Sequence, residues 1–137
     1  MKFRLTLKLI LRYLLASFFV LAGLNHFINP HFYLNIMPPY LPWHLLLVHL
    51  SGVFEIVLGA ALLIRRFTRP AAWGLIALLL AVFPANIHMA MNPELYPEYS
   101  PAALWIRLPL QIFLIAWAYW YTRPDIQAGE ACAVPAA

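Results

Sequence analysis

The sequence has one cysteine, Cys132, and only 10% of its 137 residues are charged. A lone thiol closes no disulfide within the chain. It also excludes a dithiol electron relay, which needs a pair of cysteines. Cys132 sits in a tail rich in small residues and reads as a solvated thiol without special chemistry. No glycine-rich phosphate loop, nucleophile elbow or metalloprotease helix is present. The net charge is +4, but the lysines and arginines are scattered near helix ends and form no long run. That excess is a matter of membrane topology and not of nucleic-acid binding.

What the chain does have is hydrocarbon. Hydrophobic residues make up 64% of it, and the mean hydropathy is +0.78. Soluble domains are about 45–50% apolar and about 25% charged, so the composition belongs to the membrane class. Four apolar segments stand out, at about 9–28, 44–64, 70–91 and 101–121. Each is long enough to cross a hydrocarbon core of about 30 Å at about 1.5 Å per residue. The fold class expected is all-α: a four-helix transmembrane bundle with short loops, forming a single domain. Residues 122–137 read as a flexible cytoplasmic tail.

Proline punctuates the connections, as in "INPHFYLNIMPPYLPWH" and "NPELYPEYSP". Pro70 and Pro101 suit the first turn of a helix. Pro84 and Pro109 lie inside the third and fourth segments. A proline inside a membrane helix needs neighbours to satisfy the carbonyl it frees. Lys2, Arg4, Lys8 and Arg12 precede or open the first segment, Arg65, Arg66 and Arg69 fill the second loop, and Arg123 follows the last segment. The positive-inside rule then puts both termini in the cytoplasm. Tyr40, Trp43, Tyr96, Tyr99 and Trp105 would form the outer aromatic belt, and Tyr119, Trp120 and Tyr121 the inner one. The start resembles a secretory signal, but its apolar part runs on to Ile28 without a clear cleavage site and reads as a true span.

The anomaly is Glu55, at the middle of "LVHLSGVFEIVLGAALLIRR". A charge at the centre of a lone helix costs about 2.5–3.5 kcal/mol on insertion scales. Glu55 must therefore face protein, find a partner or hold a proton, and burial favours the uncharged carboxyl. At 100° per residue, Ser51, Gly52, Glu55 and Gly59 share one face. The small residues mark it as a packing face, because they let another backbone approach. His49 lies on its shoulder. Arg107 and Gln111 are four apart and so lie on one face of the fourth segment. The third segment offers Asn86, and the first ends with Asn25 and His26. The expected arrangement is an outward-opening polar cavity floored by Glu55, which completes an Arg107–Gln111–Asn86 network.

Three roles stay open for that layer: structural glue between helices, a site for a ligand or proton, or a surface for a partner membrane protein. An intramembrane ionisable residue is by default a functional candidate. Glu55 is the candidate catalytic group, with His26, His49, Asn86, Arg107 and Gln111 as ligand-binding or network residues and Gly52 and Gly59 as packing residues. His26, His49 and His88 lie at comparable depth, and paired imidazoles can ligate haem. No spacing picks out a pair, so haem is disfavoured and no metal site is expected.

The stretches "AGLNHFINPHFYLNIMPPYLP", "HLSGVFEIVLGAALL", "VFPANIHMAMN" and "WIRLPLQIFLIAWAYWYTR" together resemble the DoxX-like membrane proteins. The resemblance covers nearly the whole chain, and SGxxEIxLG with RLPxQ is its most specific combination. It implies a four-helix bundle in the bacterial cytoplasmic membrane and a role in a quinone-linked oxidoreductase system, with quinone the cofactor it points to. In that setting Glu55 would accept or relay a proton. Arg107 would pair with Glu55 or polarise a ligand oxygen, and Asn86 and Gln111 would orient the ligand. Other relatives are chaperone-like, which keeps a non-enzymatic assembly factor in play, with Pro38, Pro39 and Pro42 in its contact loop. A lipophile-binding protein or small transporter half is the third reading. Expected partners are the lipid bilayer, a partner membrane or redox protein, or a second copy of the chain.

Overall fold

The structure, a computed structural model, describes residues 2–123, with side chains from Thr6 onward. The tail from Pro124, Cys132 included, lies outside the described residues. The helices are α1 (Lys2–Ile28), α2 (Pro30–Asn35), α3 (His44–Leu63), α4 (Thr68–Met91) and α5 (Pro101–Trp120), with a 3₁₀ turn at Pro93–Leu95. The fold is all-α, and α1, α3, α4 and α5 are each long and apolar enough to cross a membrane. This is a multi-pass membrane protein in contact with the lipid bilayer. Leu14, Phe18 and Leu21 of α1 and Ile106, Leu110 and Phe113 of α5 are exposed, as side chains bathed in hydrocarbon are.

Local chemistry sets most of the helix ends. Pro30 and Pro101 begin α2 and α5, where a missing N–H costs nothing. Ser100 caps α5 by accepting from the Ala103 N–H at 3.2 Å. The short α2 was not an expected element; six residues are too few for a hydropathy signal. Its neighbour Pro38 is fully buried, which removes it from the exposed contact loop expected of it and leaves Pro39, Tyr40 and Pro42 outside.

Trp43 opens α3 in the left-handed region, at φ 53° and ψ 46°. An L side chain pays about 1–2 kcal/mol there, and Trp43 is 77% exposed, so little packing offsets the strain. Trp43→Gly should therefore raise the melting temperature by about 3–5 °C in detergent. Trp43→Ala, which keeps the Cβ, should not. Equal melting of the two variants would remove the strain argument.

The bundle is built from two helix pairs, α1 with α3 and α4 with α5, joined through α3 and α4. The α1–α3 pair is the closest. A Cβ at Gly52 would stand 2.7 Å from the His26 Cβ and 2.9 Å from the Gly23 carbonyl oxygen, and one at Gly59 would meet the Ala16 carbonyl at 3.1 Å. These glycines let backbone meet backbone.

A dry core of Leu15, Phe19, Leu62, Leu75, Ala118 and Tyr121 joins all four long helices near one end. Lys8, Arg12, Arg65, Arg66, Arg69 and Arg123 lie around that basic end. There Arg12 Nη1 donates to Thr68 Oγ1 at 3.3 Å, and Arg69 Nε donates to the Thr122 carbonyl at 3.0 Å. Toward the other end the core is smaller, with Met89, Tyr96 and Leu104 packed under Ile36 and Tyr99. Two residues of the expected aromatic belts are therefore inside. Tyr121 is buried and donates to the Lys8 carbonyl at 3.0 Å, and Tyr96 is buried beside His88, 3.3 Å from its Nδ1. In both cases a loop or helix end folds back over the ring, which no residue spacing announces.

Candidate functional site

Glu55 is the twelfth of the twenty residues of α3, about 16 Å along the helix from His44. Its face is the glycine face that packs on α1, and that packing chooses its neighbour. Gly23 and Gly52 bring the two backbones together, and His26, one turn beyond Gly23, arrives beside the carboxyl. His26 Nε2 lies 3.5 Å from Glu55 Oε2. That separation is within Coulombic range but longer than a hydrogen bond. Oε2 is accordingly buried with no hydrogen-bond partner among the described residues.

The other imidazole nitrogen fixes the chemistry. His26 Nδ1 lies 2.8 Å from the Val48 carbonyl, which can only accept, so Nδ1 carries the hydrogen. A neutral His26 then turns its Nε2 lone pair toward Glu55. A lone pair facing a carboxylate is repulsive, and one proton placed between them makes the contact attractive. One proton held between the two groups, as carboxyl with imidazole or carboxylate with imidazolium, would make the pair neutral overall in both forms. Neutrality limits the cost of placing two ionisable groups at this depth.

Tyr33 of α2 covers the pair. Its ring stacks on His26 with centroids 3.6 Å apart, and its hydroxyl accepts from Asn25 Nδ2 at 3.0 Å. Burial pushes the Tyr33 phenol above its ordinary value of 10.0. The Asn25 hydrogen bond opposes this, the Glu55 charge adds to it and the Arg107 charge opposes it. The Tyr33 hydroxyl thus feels Glu55 and Arg107 together.

Asn86, Gln111 and Arg107 do not complete a network with Glu55, and this corrects the arrangement expected from the sequence. Asn86 Nδ2 donates to Gln111 Oε1 at 2.7 Å, and Gln111 Nε2 donates to the Leu79 carbonyl at 2.5 Å. Leu79 precedes Leu80, whose carbonyl loses its usual donor because Pro84 has no N–H. Gln111 therefore clasps α4 where its proline disturbs the ladder, and Asn86 holds Gln111 in place. Arg107 sits apart from both, with its guanidinium over the rings of Tyr99 and Phe32 at 5.4 and 6.0 Å, and Nη1 4.0 Å from Met89 Sδ. His49 stacks on Phe27 at 5.2 Å. Two hollows lie at the α2 end, and Glu55 floors neither of them. One of these is lined by Trp43, His44, Leu45 and Leu46, and the other by Asn25, Ile28, Asn29, Pro30, His31 and Phe32.

A family model described as Domain of unknown function (DUF8561) matches residues 15–122. The chain belongs to the DUF8561 family. No curated protein and no solved structure matches the chain. The DUF8561 match contains the His26–Glu55 pair, its Tyr33 cover, the Asn86–Gln111 clasp and Arg107. Among the described residues of this DUF8561 domain, no group of three or more His, Cys, Asp or Glu side chains gathers as a metal site. The residues that sequence reasoning missed are Gly23 and Tyr33. Gly23 was visible inside "AGLNHF" as a small residue one turn before His26. Nothing in the sequence signalled Tyr33, because its position depends on α2 folding back over α1.

Proposed function

We propose that this is a DoxX-like protein of the bacterial cytoplasmic membrane, with both termini cytoplasmic, that holds a quinone or similar lipophilic redox ligand against the His26–Glu55 pair. The observation that carries the reading is the buried Glu55 Oε2, which lacks a hydrogen-bond partner and stands 3.5 Å from the His26 Nε2. With the proton on Oε2, the Glu55 O–H could donate to a ligand carbonyl oxygen in place of the His26 Nε2 lone pair. Reduction of such a carbonyl requires a proton, and the pair is a local source of one. The chain supplies no redox centre that we can name, so electrons would come from a partner protein, making this a membrane subunit and not a complete enzyme. The gathering of Lys8, Arg12, Arg65, Arg66, Arg69 and Arg123 at one end supports the orientation.

The test is mass spectrometry of protein purified gently from its native membrane, wild type against Glu55→Gln. The expected result is a quinone-like molecule retained by the wild type and lost from a variant that still inserts and folds. A folded Glu55→Gln protein that keeps the ligand, or a wild type that carries none, overturns the reading.

A non-enzymatic assembly factor is the second reading, and one observation favours it. The segment between α2 and α3 exposes Tyr40 and Trp43, at 60% and 77% of their surface, beside Pro39 and Pro42. Under this reading the same sample shows a membrane partner in wild type and Glu55→Gln alike, and Tyr40→Ala releases it.

A further inference from the structure

Arg107 is the one lysine or arginine of the described residues away from the basic end, and it has no carboxylate partner among the described residues. Glu94 and Glu98, the acidic residues at its end of the bundle, are exposed and form no ion pair with it. Its contacts are two aromatic rings and a thioether. Ring faces attract a cation but bring no negative charge, and sulfur is a weak acceptor. A half-buried guanidinium with five N–H donors thus has most of its hydrogen bonds unmet by the described residues.

We propose that Arg107 holds the phosphate of an anionic phospholipid in the leaflet at the α2 end. The planar fork of a guanidinium matches phosphate oxygens two at a time. Arg107 lies six residues inside α5, about 9 Å from its start, which is close to the boundary between headgroups and hydrocarbon for a helix that begins at the membrane surface and within reach of a phosphate for a long side chain. Ile106 and Leu110, one turn apart and exposed, give an acyl chain an apolar track on the same helix. Phe32, one of the two rings on the guanidinium, also lines the hollow that contains Asn25, Asn29 and His31. Asn29 and His31 offer hydrogen bonds to the polar part of a headgroup, while Asn25 is engaged by Tyr33 and Asn29. A soluble anion would use the charge but leave the track and the hollow empty. This site shares no residue with the His26–Glu55 pair and stands independently of the quinone reading.

The experiment uses the full chain in non-ionic detergent, with phosphatidylglycerol titrated and bound lipid read by native mass spectrometry. Phosphatidylcholine, oleate and inorganic phosphate are titrated in parallel. The expected result is tightest binding of phosphatidylglycerol, weakened by about ten-fold or more in Arg107→Gln, since charge-assisted paired hydrogen bonds are lost. Arg65→Gln with Arg66→Gln, at the opposite end, should leave the Arg107-dependent binding in place. Unchanged phosphatidylglycerol binding in Arg107→Gln overturns the proposal. So does binding of phosphatidylcholine, oleate or inorganic phosphate as tight as that of phosphatidylglycerol. Should Arg107→Gln fail to fold, wild-type protein is labelled with an arginine-selective dicarbonyl and the peptides are quantified. Phosphatidylglycerol should then protect Arg107 several-fold relative to phosphatidylcholine, and equal labelling in the two lipids overturns the proposal.

Discussion

Gly52→Ala should lower the melting temperature sharply, whereas Gly74→Ala should leave it nearly unchanged. The two substitutions are chemically identical, and both new Cβ atoms start too close to a neighbour. At Gly52 the neighbours are the His26 Cβ at 2.7 Å and the Gly23 carbonyl oxygen at 2.9 Å. Both are backbone or next to it, so α1 and α3 must move apart. At Gly74 the neighbour is Leu58 Cδ2 at 2.6 Å, the end of a flexible side chain that a rotamer change moves away. Overpacking a site that cannot yield costs about 1–3 kcal/mol, and Gly52 belongs at the upper end of that range. Alanine is also the better helix former, by about 1 kcal/mol, which should offset much of the small clash at Gly74. Thermal unfolding of both variants in one detergent decides the matter. Equal destabilisation by the two would mean that the α1–α3 approach is not what the glycines serve. Displacing α1 also moves His26 away from Glu55, so Gly52→Ala should weaken any ligand that depends on the pair.

The second large effect is non-additivity between His26 and Glu55. Replacing one member of a buried ionisable pair strands the other, at about 3 kcal/mol or more. His26→Leu and Glu55→Leu should each destabilise by about that amount at neutral pH. His26→Leu should cost more, because it also removes the Val48 hydrogen bond and the Tyr33 stack. The double variant should cost less than the sum of the two by about 1–3 kcal/mol, the coupling expected of groups in contact. Single effects that add to within about 0.5 kcal/mol would show that the two side chains do not share a proton. A matched cycle between Glu55 and Arg107 serves as the contrast. It should be additive, since Arg107 rests on Phe32 and Tyr99 and not on the carboxyl.

Some of this was decided by the sequence alone. Long apolar runs can satisfy their backbone in lipid only as helices, so four such runs determined an all-α membrane bundle before any packing was known. Helical periodicity put Gly52, Glu55 and Gly59 on one face, and the cost of a midplane charge required that face to point at protein. Tertiary structure decided what stood opposite. Spacing along α5 shows that Arg107 and Gln111 share a face, but not the height or rotation of that face relative to α3. The partner of Glu55 was set instead by the close backbone approach of Gly23 to Gly52, which delivers His26, while Arg107 rests on its aromatic rings. Gln111 was claimed by the Leu79 carbonyl of α4, one residue before the carbonyl that Pro84 leaves without its donor, a partner on another helix and invisible along its own. Pro38, Tyr96 and Tyr121 were likewise drawn inside by chain segments folding back over them. Periodicity encodes which side chains share a face. Which faces meet depends on where the backbones can approach, and that is settled only when the helices pack.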